Sequence, residues 1–202
     1  MINNVAPAPI EEFLQPAVRA LPRKMAARIG PFRITLVARL ERAAVTSRWT
    51  IDCEQSEIVL ATDEVEPHDL AMELLVCAGQ LLWEKARPRE REAFLGLLAA
   101  ELDAGVEGEI DEEVLEWKRR LLRLDGSARR SRCLERYTAA AFAHTAAEYV
   151  HCLWHDVTAH AGPEHLPAPW LRRRLELFAR WFPPDRGYRL FPSGRAAPRR
   201  SA

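Results

Sequence analysis

No metal-binding cysteine motif, long apolar run or excess of charge of either sign marks this chain. Its four cysteines, Cys53, Cys77, Cys133 and Cys152, are far apart and form no Cys-x-x-Cys pair. That spacing argues against a zinc knuckle or a disulfide scaffold and for reduced, mostly buried thiols. No uninterrupted apolar stretch reaches the roughly 18 residues a membrane helix needs, and the start, MINNVAPAPIEEF, has no basic region followed by an apolar run. A soluble, cytoplasmic protein without a membrane partner is expected. Lysine is scarce, 3 against 26 arginines, an imbalance ascribed to genomic base composition and not to phosphate recognition.

With 202 residues, 48% of them hydrophobic, the chain suffices for one compact domain with a substantial core. The formal net charge of zero hides a segregation. Residues 1–50 carry 8 basic and 3 acidic side chains, residues 51–116 carry 4 and 19, and residues 117–202 carry 17 and 7. Acidic and basic segments that face one another or share a mixed surface account for this pattern, and a nucleic-acid partner is not expected from it.

Pro16 to Ile29 places Val18, Leu21, Met25 and Ile29 at helical spacing, with Pro22 near the first turns, and predicts one short amphipathic helix. Arg33–Leu40, Trp49–Cys53 and Glu57–Ala61 are rich in β-formers and predict two or three strands, the last two a hairpin turning near Glu54–Ser56. Asp63 is an N-cap candidate and Pro67 a first-turn residue for a helix running to about Lys85. Further helices are predicted from Pro88 to the glycines at 105 and 108, over Asp111–Leu124, over Cys133–Ala159 and over Trp170–Trp181. The expected organisation is a single domain over residues 1–186, strand-containing at about 16–87 and helical at about 88–186, followed by a flexible basic tail at 187–202.

Within the helix predicted after Pro67, AMELLVCAGQLLWE (Ala71–Glu84) has the frame of a zinc-peptidase active-site helix without its ligands. It resembles the Leu-Leu-His-Glu-x-Gly-His helix of the zincin metallopeptidases. Leu74, Leu75 and Gly79 match, while Val76 and Gln80 stand at the histidine positions and Cys77 at the glutamate position. In the later helix, Tyr137-Thr-Ala-Ala-Ala-Phe-Ala-His144-Thr-Ala-Ala-Glu148 is similar to the ligand segment of lethal-factor-type zincins. There Tyr137 falls on the family's oxyanion tyrosine, His144 on the zinc-binding glutamate, and Ala147 and Glu148 on the closing Ala-Glu. The resemblance covers about residues 16–160. It implies a mainly helical α+β fold of zincin type, a small strand layer against an active-site-type helix with a C-terminal helical subdomain.

A zincin site needs histidines at i and i+4, a glutamate base between them and a third ligand from a later helix. Of the inherited ligand positions, only His144 could bind zinc well. The resemblance therefore implies a pseudoenzyme with no cofactor, binding a protein or peptide partner at a vestigial cleft of Val76, Cys77, Gly79, Gln80, Tyr137, His144 and Glu148.

A second constellation is the histidine run from His144 to His165. On a helix, His144, Glu148, His151 and His155 fall within an arc of about 60°. The stripe reads as the helix's solvent-facing edge, as a polar lining of the degenerate cleft, or as a relocated metal site of a zinc-dependent hydrolase. His144 and His155 lie about 16 Å apart along the axis at about 1.5 Å per residue, so one ion cannot join them, whereas His151 and His155 form an i, i+4 pair. Glu148 and His151 have the Glu-x-x-His spacing of di-iron bundles, but the chain has no second copy. Cys77 reads as a core thiol before a nucleophile, and His68 and Asp69 as residues at a helix start. A helical interaction or regulatory protein unrelated to zincins is the remaining expectation.

Overall fold

The structure, a computed structural model, describes residues 10–41, 46–51, 56–63, 65–125, 127–155 and 164–191. It is a mainly helical α+β fold. A π-helical turn at Ile10–Leu14 leads into α1 (Gln15–Ala20) and α2 (Arg23–Ile29). The single helix predicted over Pro16–Ile29 is thus two, because Pro22 forces Leu21 out of the helical region, to φ −58° and ψ 117°.

Strands β1 (Phe32–Val37), β2 (Ser47–Ile51) and β3 (Ser56–Ala61) form a sheet of order β1-β3-β2. β3 lies in the middle, parallel to β1 and antiparallel to β2, with Ile34 opposite Ile58 and Trp49 opposite Ile58 on the other side. The predicted antiparallel pairing of the last two strands is present, although residues 52–55 of its turn lie outside the described residues. β3 is the most buried strand, as the central position requires, and β2 is an exposed edge.

Helix α3 (Pro67–Glu84) follows the sheet. Its N-cap is the extended Glu66 and not Asp63, since Pro67 takes the first helical position and holds its predecessor extended. In α4 (Pro88–Asp103) the Glu90 side chain accepts from the Arg87 backbone N–H at 2.8 Å. In α5 (Glu112–Arg123) Asp111 caps the helix by accepting from the Glu113 N–H at 2.8 Å. Helix α6 (Ser127–Trp154) starts six residues before the predicted Cys133, and residues 156–159 of the predicted span are outside the described residues. Helix α7 is Ala168–Trp181.

One continuous apolar core runs from Leu14 to Phe182, and α6 is its axis. Nearly every α6 residue from Tyr137 to Leu153 is buried, because α1, α3, α4, α5 and α7 all pack on it. Phe142 of α6 meets Phe94, Phe178 and Trp83 at ring-centroid distances of 5.2, 4.8 and 5.1 Å. Of the predicted tail, Tyr188 and Leu190 pack on the core, and residues 192–202 lie outside the described residues. Among the described residues no helix is long and apolar enough to cross a membrane.

Candidate functional site

Helix α3 makes its most extensive packing against α6. A β-carbon placed on Gly79 would lie 2.5 Å from the Ala143 carbonyl oxygen and 2.8 Å from its Cα. Glycine is required because the two backbones approach too closely for any side chain. This contact sets the helix with the zincin-like frame directly against the residue preceding His144. Val76 and Gln80 are half-buried on α3, and His144 is half-buried on α6.

His144 turns toward the start of α5. Its Nδ1 lies 3.8 Å from Asp111 Oδ1 and its Nε2 3.5 Å from Glu113 Oε2. Both are too long for good hydrogen bonds, and the buried Nε2 has no hydrogen-bond partner among the described residues. His144 draws the Glu113 carboxyl below its usual value, more than burial raises it.

Cys77 is buried against the sheet, not displayed in a cleft. Burial pushes its thiol up to about 11, with Glu73 adding to the rise and a hydrogen bond with Ser47 opposing it. Cys152 is raised to about 12 by burial and by Glu148, to which its Sγ donates at 3.7 Å. Neither is a thiolate nucleophile at neutral pH. Alkylation of Cys77 in the folded protein at pH 8 is therefore expected to run about a hundredfold slower than in the urea-unfolded chain, as mass spectrometry of iodoacetamide adducts would show.

Tyr137 belongs to a different environment. Its hydroxyl donates to Glu109 Oε1 inside a sealed ionic cluster. Arg174 of α7 donates through Nε to Glu101 Oε1 at 2.9 Å and through its Nη atoms to Glu109 at 2.9 and 3.0 Å. Lys118 of α5 reaches Glu109 Oε1 at 3.2 Å and the Gly108 carbonyl at 2.9 Å. Arg174, Lys118 and Glu101 are 0% exposed and Glu109 is 1% exposed, so two cations and two anions balance out of reach of solvent. Burial would raise the Glu109 carboxyl, but Arg174 first, then Lys118 and Tyr137, hold it below the usual range. Burial and the adjacent Glu109 charge push the Tyr137 phenol up. Tyr137 is thus a neutral donor in a structural cluster joining α4, α5, α6 and α7, with no open side toward a ligand.

The histidine stripe is not a solvent-facing edge. Glu148 and His151 are buried, His144 is half-buried, and His155 alone of the four is exposed. The reason is the central position of α6, which sequence periodicity does not register. His151 Nδ1 lies 3.4 Å from Glu148 Oε2, and its Nε2 faces His68 Nε2 at 3.1 Å. His68, His151 and His155 form a triangle with ring centroids 5.0, 5.8 and 5.4 Å apart. His68, read from the sequence as a helix-start residue, is therefore a member of this cluster, contributed by the first turn of α3. Of the relocated ligand set, Glu148, His151 and His155 gather here, while His144 stays with Asp111 and Glu113. Among the described residues no group of three His, Cys, Asp or Glu side chains is placed to hold a metal ion.

Family models, curated proteins and solved structures compared with this chain gave no match.

The site must therefore be read from its own chemistry. Beside the α3–α6 contact at Gly79, Val76 and Gln80 are half-buried on α3, and α6 carries an imidazole nitrogen of His144 that has no hydrogen-bond partner among the described residues and lies beside two carboxylates. The histidine triangle brings the Nε2 atoms of His68 and His151 to hydrogen-bonding distance, 3.1 Å. Neither the ionic cluster nor His68 was legible in the sequence. Glu109 and Arg174 are 65 residues apart and His68 and His151 are 83 apart, and no local pattern links them.

Proposed function

We propose that this chain is a non-catalytic relative of the zincin metallopeptidases that binds a partner protein or peptide at the α3–α6 crossing. The observation that carries the reading is the contact of Gly79 with Ala143. The helix with the zincin-like frame meets the later helix at the glycine of that frame and immediately beside His144, the residue aligned with the family's third ligand. The order of helix, strands, frame helix, connecting helices and ligand helix supports the same reading. Val76, Cys77 and Gln80 in place of His, Glu and His remove the metal chemistry, because valine has no donor atom and the Cys77 thiol stays protonated. What remains is the half-buried pair Val76 and Gln80, with His144, Asp111 and Glu113 as polar groups. The four unpaired-by-motif cysteines go with a reducing, cytoplasmic setting.

The test restores the ligands. Val76→His with Gln80→His creates an i, i+4 histidine pair flanking Gly79, which meets Ala143 next to His144. In calorimetric titration the double variant is expected to bind zinc about a hundredfold more tightly than wild type or better, and to lose that gain when His144→Ala is added. A folded double variant with no gain, or with a gain independent of His144, overturns the zincin reading and leaves an unrelated helical interaction protein.

A further inference from the structure

Between the second half of α5 and the N-terminal half of α6 lies a cavity of about 430 Å³ walled by Arg120, Arg129, Arg132 and Arg136. Trp117 stands among them, with the guanidinium carbons of Arg120 and Arg136 at 5.4 and 5.3 Å from its ring centroid. Leu124 and the buried Cys133 supply apolar wall, and the Cys133 thiol donates to the Trp117 carbonyl at 3.7 Å.

Among the described residues no carboxylate neutralises these arginines. Elsewhere on the surface Arg172 pairs with Glu176 at 2.8 Å, Arg39 with Asp63 at 3.0 Å and Arg119 with Glu164 at 3.2 Å. None of the four around the cavity makes an ion pair with a carboxylate among the described residues. Glu116 stands one turn before Arg120, the spacing for a helical ion pair, yet Arg120 stacks on Trp117 instead. Four like charges around one concavity repel one another, and the stacking on Trp117 holds two of them in place against that repulsion.

From this cavity we propose a binding site for a small organic polyphosphate, such as a nucleoside triphosphate. Four guanidiniums call for an anion of several charges, and their planar forks match phosphate oxygens two at a time. The volume lies in the range of small-ligand pockets, and the wall of Leu124 and Cys133 accommodates an organic portion beyond the phosphates. A single-stranded nucleic acid fits less well, because the Trp117 ring is engaged by the protein's own arginines and is not free as a platform for successive bases. The site shares no residue with the α3–α6 crossing and does not depend on the zincin reading.

The experiment is isothermal titration of the full chain with ATP, tripolyphosphate and citrate at about 0.15 M salt. ATP and tripolyphosphate are expected to bind with dissociation constants of about 1–50 μM, and citrate about fivefold more weakly or worse, its carboxylates being spaced unlike a phosphate chain. Arg132→Ala with Arg136→Ala should weaken ATP binding about tenfold or more, and Arg129→Ala with Arg132→Ala, which spares the Trp117 stack, should do the same. Arg172→Ala with Arg173→Ala, on α7, is the control and should change nothing. The proposal is overturned by no binding of either phosphate up to about 1 mM, or by affinities unchanged in both arginine pairs. Citrate binding as tightly as tripolyphosphate would reduce the site to a selector of charge and overturn the phosphate class. An RNA oligonucleotide bound about a hundredfold more tightly than ATP through the same arginines would make it a nucleic-acid groove, which also overturns it.

Discussion

Arg174→Met is expected to destabilise the protein by about 3–5 kcal/mol, measured by urea unfolding at pH 7. The guanidinium is wholly buried and serves Glu101 and Glu109 together, so its removal leaves two buried carboxylates facing the single charge of Lys118. The lost contacts themselves matter less than the stranded charges. A triple variant in which Glu101 and Glu109 also become apolar residues of similar volume should recover much of the loss. In the wild type the folded-state pKa of Glu109 is depressed. It therefore contributes stability that is present above the unfolded carboxyl pKa and is lost as pH falls through the lower folded value. In Arg174→Met the main cause of that depression is gone, and the stability gap between variant and wild type should narrow on acidification. A gap that is constant with pH, or a loss below about 1 kcal/mol, would show that the cluster does not hold the four helices together.

Gly79→Ala and Gly96→Ala should move stability in opposite directions. Both residues lie inside helices, where alanine is intrinsically preferred by about 0.5–1 kcal/mol. A β-carbon at Gly96 meets nothing within 4 Å, so that variant should gain up to about 1 kcal/mol. At Gly79 it would press on the backbone of Ala143, which cannot rotate away as a side chain tip could. The helices must separate, and a net loss of about 1–3 kcal/mol is expected by thermal or chemical denaturation. A gain at Gly79 would mean that α3 and α6 do not meet there, and the placement of His144 beside the zincin-like frame would fall with it.

Much of the secondary structure was written locally. Pro88 and Asp111 mark helix starts that the structure places within a residue of expectation, since a proline's fixed φ and a carboxylate's affinity for free N–H groups act on adjacent residues, whereas α3 starts at Pro67, three residues past the start an Asp63 cap would give. Pro22 is equally visible, yet periodicity alone carries one helix through it. Its effect on Leu21 breaks the segment into α1 and α2. Cys77 as a core thiol was legible for the same local reason, its apolar neighbours Val76 and Ala78. The histidine stripe failed as a surface reading because periodicity reports which residues share a face, not what covers that face. In a helix enclosed by five others, polar residues are buried too and must find partners inside. The arginine excess, ascribed to base composition, could not show that four of those arginines would converge on one cavity.

The sequence by itself determined the mainly helical α+β class, the presence of most helices and a small layer of two or three strands. All of these depend on the identity and spacing of residues within a few turns of one another. Tertiary structure alone decided that Gly79 meets Ala143, that His68 joins His151, that Arg174 closes a neutral cluster with Glu101 and Glu109, and that the α5 and α6 arginines line a single concavity. Each of these joins elements through residues 9 to 83 positions apart or brings several helices to one point. The free energy that selects them, burial without stranded charge or clash, is defined only when the elements are packed together.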